Sequence, residues 1–98
     1  MWRQGDIYIA KASKVPAGAR PLPHCTLAEG EMTGHSHRVA ETAGAKLYAR
    51  DSSLYLVVSA DRVTVVHDEH GPIPLARGTY RVWHQREYSP EAIRTVRD

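Results

Sequence analysis

The sequence predicts an all-β fold, a small barrel or sandwich of about seven short strands, and three observations carry that prediction. Runs rich in Val, Ile, Thr, Tyr and Trp, the side chains that suit a pleated, half-buried surface, recur roughly every ten residues. Glycine and Asp/Ser turn signals separate them. Segments 14–23 and 68–74 carry Pro16, Pro21, Pro23, Pro72 and Pro74, which remove backbone donors and push their predecessors out of helical space.

The first strand is Asp6 to Lys11, opened by a Gly-Asp turn signal, and an extended proline-rich loop follows it. Cys25 to Ala28 enters a second short strand that ends at Glu29-Gly30, and Met32 to Val39 reads as a turn and then a strand. Ala45 to Arg50 and Leu54 to Ser59 form a hairpin pair, because Asp51-Ser52-Ser53 between them can hydrogen-bond their own backbone. Arg62 to His67 is a further β-branched strand. The last long strand is Gly78 to Arg86, launched from an Ala-Arg-Gly turn, and Ser89 with Pro90 can cap a short terminal helical turn.

The chain has 98 residues, 42% hydrophobic and 24% charged, which predicts one globular domain over residues 1–98 and argues against disorder. It has no Phe, so aliphatic residues, Tyr and Trp must fill the core. A formal charge of +2 is too small to argue nucleic-acid binding. One cysteine, Cys25, excludes an internal disulfide and points to a reducing compartment; beside the proline-rich loop it reads as a small buried hydrophobe. The first residues lack the apolar run of a signal peptide, and no stretch approaches the roughly 20 apolar residues of a membrane span. A cytoplasmic location is the expectation.

Six histidines are the sequence's distinctive feature. In a strand, residues two apart share a face, so His35 and His37 can present both rings to one ion. The second pair, His67 and His70, stands at a strand end and in the Gly/Pro turn beyond it, where the chain can fold back and bring the rings together. Glu69 between them is the candidate proton acceptor of any catalysis. Imidazole suits zinc, iron, manganese and nickel, so a divalent metal ion is the predicted cofactor. His24 sits next to Cys25, and adjacent strand residues face opposite ways, so no mixed ligand pair is expected there. His84, between Trp83 and Gln85, reads as sheet packing.

The contrasting prediction is a non-catalytic module for protein–protein contact or homo-oligomerisation, whose histidines are incidental or sense pH. Two other classes find little support. No serine lies in a nucleophile-elbow pattern, and no glycine loop is built to cradle phosphate. Arginines 77, 81, 86, 94 and 97 interleave with Tyr80, Trp83 and Tyr88, but alternation sends Arg81 and Trp83 to one face and Tyr80 to the other. That split argues against a nucleic-acid platform within this strand.

The segment His35-Ser36-His37-Arg38-Val39-Ala40-Glu41, with Gly30 and Gly34 upstream, resembles the first cupin motif, a His-x-His followed shortly by Glu. The resemblance implies metal ligation by His35, His37 and Glu41 inside a small β-barrel, with one further histidine after a later Pro-x-Gly turn. Here that turn would be Pro74 to Gly78, and Arg81 occupies the histidine's place, so His67, His70 or His84 would have to supply the last ligand. The chain is also similar, over most of its length, to a group of small uncharacterised bacterial and phage proteins. The shared segments are Gln4 to Asp6, Leu27 to His37, His67 to His70 and Gln85 to Tyr88. That likeness implies no activity.

Overall fold

Alternation of buried and exposed side chains sets the architecture: Ile7 and Ile9 are fully buried on one strand, Leu56 and Val58 on another, Tyr80 and Val82 on a third. The computed structural model describes residues 1–29 and 36–84. In order, these form β1 (Trp2–Gln4), β2 (Ile7–Ala12), β3 (Arg20–Pro21), β4 (Thr26–Glu29), β5 (Ser36–Val39), a 3₁₀ turn (Thr42–Gly44), β6 (Ala45–Arg50), β7 (Ser53–Val66) and β8 (Ile73–His84). All eight strands belong to one antiparallel sheet in the order β1-β2-β8-β7-β5-β4, with β6 on the free flank of β7 and β3 beyond it.

The fold is all-β as expected, with two revisions. The runs Leu54–Ser59 and Arg62–His67, expected as separate strands, belong to one strand, β7, that ends at Val66. No turn is needed between them, because Val58 pairs with Gly78 and Arg62 with Ala76, so Ser59 to Asp61 stand opposite Arg77 alone. This bulge bends the hairpin, and Gly78 (φ +153°) takes a backbone conformation that a side chain would strain. The Ala-Arg-Gly stretch is therefore inside β8, which starts at Ile73. The two short strands β1 and β3 carry no run long enough to be read from the sequence. The helical turn expected at Ser89 and the Gln85–Tyr88 motif lie outside the described residues.

Bending lets β7 change partners, pairing with β6 through its first half and with β5 at its far end. The sheet thereby rolls around one core that contains Ile7, Ile9, Leu27, Val39, Leu47, Leu56, Val63, Leu75 and Val82. Among the described residues the barrel alternative is not realised, since no ladder joins β1 to β5 or β4 and the sheet they form is open. Side chains bridge that gap instead, and there the histidines meet. Among the described residues no helix is long and apolar enough to cross a membrane.

Candidate functional site

Gln4 closes the open seam. On β1 it points inward, 2% exposed, and its Nε2 donates to the carbonyls of Val65 on β7 (3.1 Å) and Gly71 in the β7–β8 turn (2.8 Å). A carbonyl only accepts, so these two bonds fix which end of the amide is nitrogen. The remaining atom, Gln4 Oε1, lies 2.8 Å from His37 Nδ1 and must accept, which puts the proton on Nδ1 and leaves the lone pair on Nε2. His37 is itself 6% exposed, turned inward because β5 buries residues 37 and 39.

Three further imidazoles and a carboxylate surround that nitrogen. The His67 ring lies 4.2 Å from that of His37, centroid to centroid, and His70 lies 4.8 Å from His67 and 6.2 Å from His37. Pairing of Ile7 with His84 sets the last ring of β8 beside the β1–β2 turn. Asp6 of that turn stands between two rings, with Oδ1 3.5 Å from His37 Nε2 and Oδ2 3.7 Å from His84 Nδ1. His84 Nδ1 is shielded from solvent and has no hydrogen-bond partner among the described residues. Gly5 makes the turn at φ +61°, and a Cβ there would lie 2.9 Å from His70 Nε2, so only glycine lets His70 close over the backbone.

The electrostatics follow from this crowding. Burial lowers the pKa of His37 from 6.5 to about 4, with the neighbouring His67, His70 and His84 adding to the effect and Asp6 opposing it. His37 is thus neutral at neutral pH, with an unprotonated Nε2 facing a carboxylate that also only accepts. Asp6 keeps 55% of its side chain exposed, so the corner is open to solvent.

Of the residues singled out in the sequence, His37, His67 and His70 are brought together. His35 lies outside the described residues. Glu41 is engaged elsewhere: its carboxylate accepts from the Thr64 backbone N–H (2.7 Å) and hydroxyl (3.1 Å), and the backbone bond leads in holding its pKa below the usual range. Glu69 donates its backbone N–H to His67 Nδ1 (3.0 Å) and is exposed on the turn. Cys25 is buried, its thiol 3.7 Å from the Ala45 carbonyl, and burial raises its pKa. The sequence does not mark Gln4 and Asp6 as site residues, although the Gln-Gly-Asp opening stands out as a turn signal and a shared segment. His84 reads as sheet packing and is named only as one substitute for the last cupin ligand, because its place depends on strand register.

Among the described residues, no group of three or more His, Cys, Asp or Glu side chains is arranged to hold a metal ion. The contact between Asp6 and His37 has metal-like spacing all the same. Two ligands each about 2.1 Å from a tetrahedral zinc lie about 3.4 Å apart, close to the observed 3.5 Å.

The profile of a family described as a domain of unknown function, DUF8820, matches residues 3–85, and the chain belongs to that family. No curated protein and no solved structure matches the chain.

Proposed function

We propose that this DUF8820 chain is a metal-binding β domain that holds a divalent ion in the seam corner, with His37 Nε2 and Asp6 as the first two ligands. The carrying observation is the Gln4–His37 hydrogen bond, which orients the ring and keeps its outward nitrogen unprotonated, the arrangement that a ligating histidine requires. His84 Nδ1, shielded from solvent and 3.7 Å from Asp6 Oδ2, is the candidate third donor. His70 on the exposed turn and His35, two residues from His37 in sequence, complete the candidate set. His67 is a poorer ligand as placed, because Nδ1 accepts from Glu69 and the neutral ring then carries its proton on Nε2. A bound ion would act as a Lewis acid toward a substrate or a water, and Glu69 remains the candidate proton acceptor on the same turn. Zinc, iron, manganese and nickel all suit imidazole with carboxylate.

The test is elemental analysis of protein purified without a nickel column, with calorimetric titration of zinc into the stripped chain. Near-stoichiometric metal, lost in both His37→Ala and Asp6→Asn, supports the reading. A folded chain that holds no metal and takes up none on titration ends it.

One observation favours a second reading, a pH-responsive interaction module. Burial and the neighbouring imidazoles oppose protonation of His37, so acid must load charge into the seam. That reading expects a metal-free chain whose self-association, followed by sedimentation, changes as the pH falls through about 4 and no longer does so in His37→Gln.

A further inference from the structure

The outer face of the sheet, opposite the core, carries an ordered row of aromatic and cationic side chains. Cross-strand pairs put Arg3 beside Tyr8, Tyr8 beside Trp83, Arg81 beside Tyr55 and Tyr55 beside Tyr48, running from β1 through β2, β8 and β7 to β6. Alternation within β8 sends Tyr80 inward, as the sequence predicts, and turns Trp83 outward, where it is only 7% exposed; Tyr8, Tyr55 and Tyr48 on the other strands are the half-buried outer rings. The contacts are specific: the Arg3 guanidinium lies 5.7 Å from the Tyr8 ring centre, Tyr8 meets Trp83 edge-on at 5.7 Å, and Arg81 covers Trp83 at 4.9 Å. Arg81 is braced by two bonds to Ser53 Oγ (3.1 and 3.0 Å) and Arg3 by one to the Gly5 carbonyl (2.9 Å). Each guanidinium has five N–H groups, so donors are left for an incoming anion.

Charge on this face is one-sided. Among the described residues, no outward position of β1, β2, β6, Ser53–Val58 of β7 or Thr79–His84 of β8 is Asp or Glu, and the exposed Asp61 of β7 lies beyond the bulge, paired with Arg77. The nearby turn residue Asp51 stands 4.0 Å from Arg50 Nε and is 88% exposed. We infer that this face binds single-stranded nucleic acid, with the half-buried tyrosines as stacking surface and Arg3 and Arg81 as phosphate contacts. Flat rings interleaved with guanidinium groups fit bases and phosphates together, whereas an acidic peptide would use only the cations. The row crosses three strand spacings between β2 and β6, roughly 15 Å, enough for a short run of nucleotides. This inference is independent of the metal reading, since the seam corner lies on the inward side.

Fluorescence anisotropy of labelled oligothymidine and oligouridine of about 12 nucleotides, run with chelator present, tests it. The expected result is saturable binding whose log affinity falls with log salt at a slope of about −1.4, as for two phosphate contacts on a single strand. Tyr48→Ala/Tyr55→Ala should weaken binding at least about tenfold. Arg3→Glu, on an exposed edge position, should weaken it and flatten the salt slope even if the tyrosine pair fails to fold. Absence of saturable binding at low salt, or equal binding by Arg3→Glu and the wild type, overturns the inference. So does a dimer, detected by sedimentation, that Arg3→Glu dissociates, because a second copy would then cover the face.

Discussion

The roll of the sheet is closed in two different ways, and the contrast explains where the site lies. Along the β7–β8 hairpin a backbone ladder, interrupted at the bulge, does the closing, with Leu56 opposite Tyr80 and Leu54 opposite Val82. Backbone groups there satisfy one another, so the side chains between them can be wholly apolar. Along the β1–β5 seam no ladder exists, and the carbonyls of Val65 and Gly71 take their hydrogen bonds from Gln4. A buried polar side chain must itself be fully bonded, and Gln4 recruits His37. The buried Gln4 and His37 thus stand where strand pairing stops.

The sharpest test of that contrast is a truncation on each side. Leu56 is fully buried under Tyr80 and Leu47, and Leu56→Ala should destabilise the chain by about 2–5 kcal/mol through lost burial and a residual cavity. Gln4→Leu has nearly the same volume, yet it strands two carbonyls and the His37 N–H. It should cost about 2–3 kcal/mol, since each buried group left unbonded loses on the order of 1–3 kcal/mol and nearby water recovers part. Urea unfolding reads both. A neutral Gln4→Leu would mean that the seam is wet and that the amide organises nothing.

The two regions should also separate under acid. His37 titrates near 4 in the folded chain against 6.5 unfolded, so the unfolded state binds more protons between those values. Stability is then unaffected above about pH 6.5, falls by roughly 1.4 kcal/mol per pH unit below it, and levels off near pH 4. From pH 7 to pH 5 the loss is about 2 kcal/mol. His37→Gln should flatten this profile, whereas Leu56→Ala should shift it down without changing its shape. Parallel profiles for wild type and His37→Gln would place the acid sensitivity elsewhere.

The same division marks what could be read from the sequence. Local pattern was enough for the ladder-closed half: the β-branched runs, the Asp51-Ser52-Ser53 turn and the buried Cys25 need only neighbours a few residues away. The pairs His35/His37 and His67/His70 announced a site, and three of those four rings lie among the described residues and do meet. Gln4, Asp6 and His84 were illegible because their roles arise from register and roll, the pairing of Ile7 with His84 and the approach of β1 to β7. Glu41 shows the opposite error. Its spacing after His37 matched a metal motif, but the backbone N–H of Thr64 was there to take the carboxylate. Length and punctuation misled once more at β7, where a bulge did what a turn was expected to do.

That bulge provides the smallest prediction. Arg77 donates to Asp61 at 2.8 Å across it, and the short distance invites the idea that the ion pair holds the bend. The exposures argue otherwise, at 65% for Arg77 and 99% for Asp61, since an ion pair in open water gains little. The bend is held from the other side, where Ala60 packs against the core and a Cβ on Gly44 would come within 2.5 Å of the Ala60 side chain. Arg77→Ala should therefore leave the unfolding midpoint unchanged within error, in low salt as in high salt. A salt-dependent loss in that variant would show that charge, rather than packing beneath Ala60, sets the curvature that brings β1 to the seam.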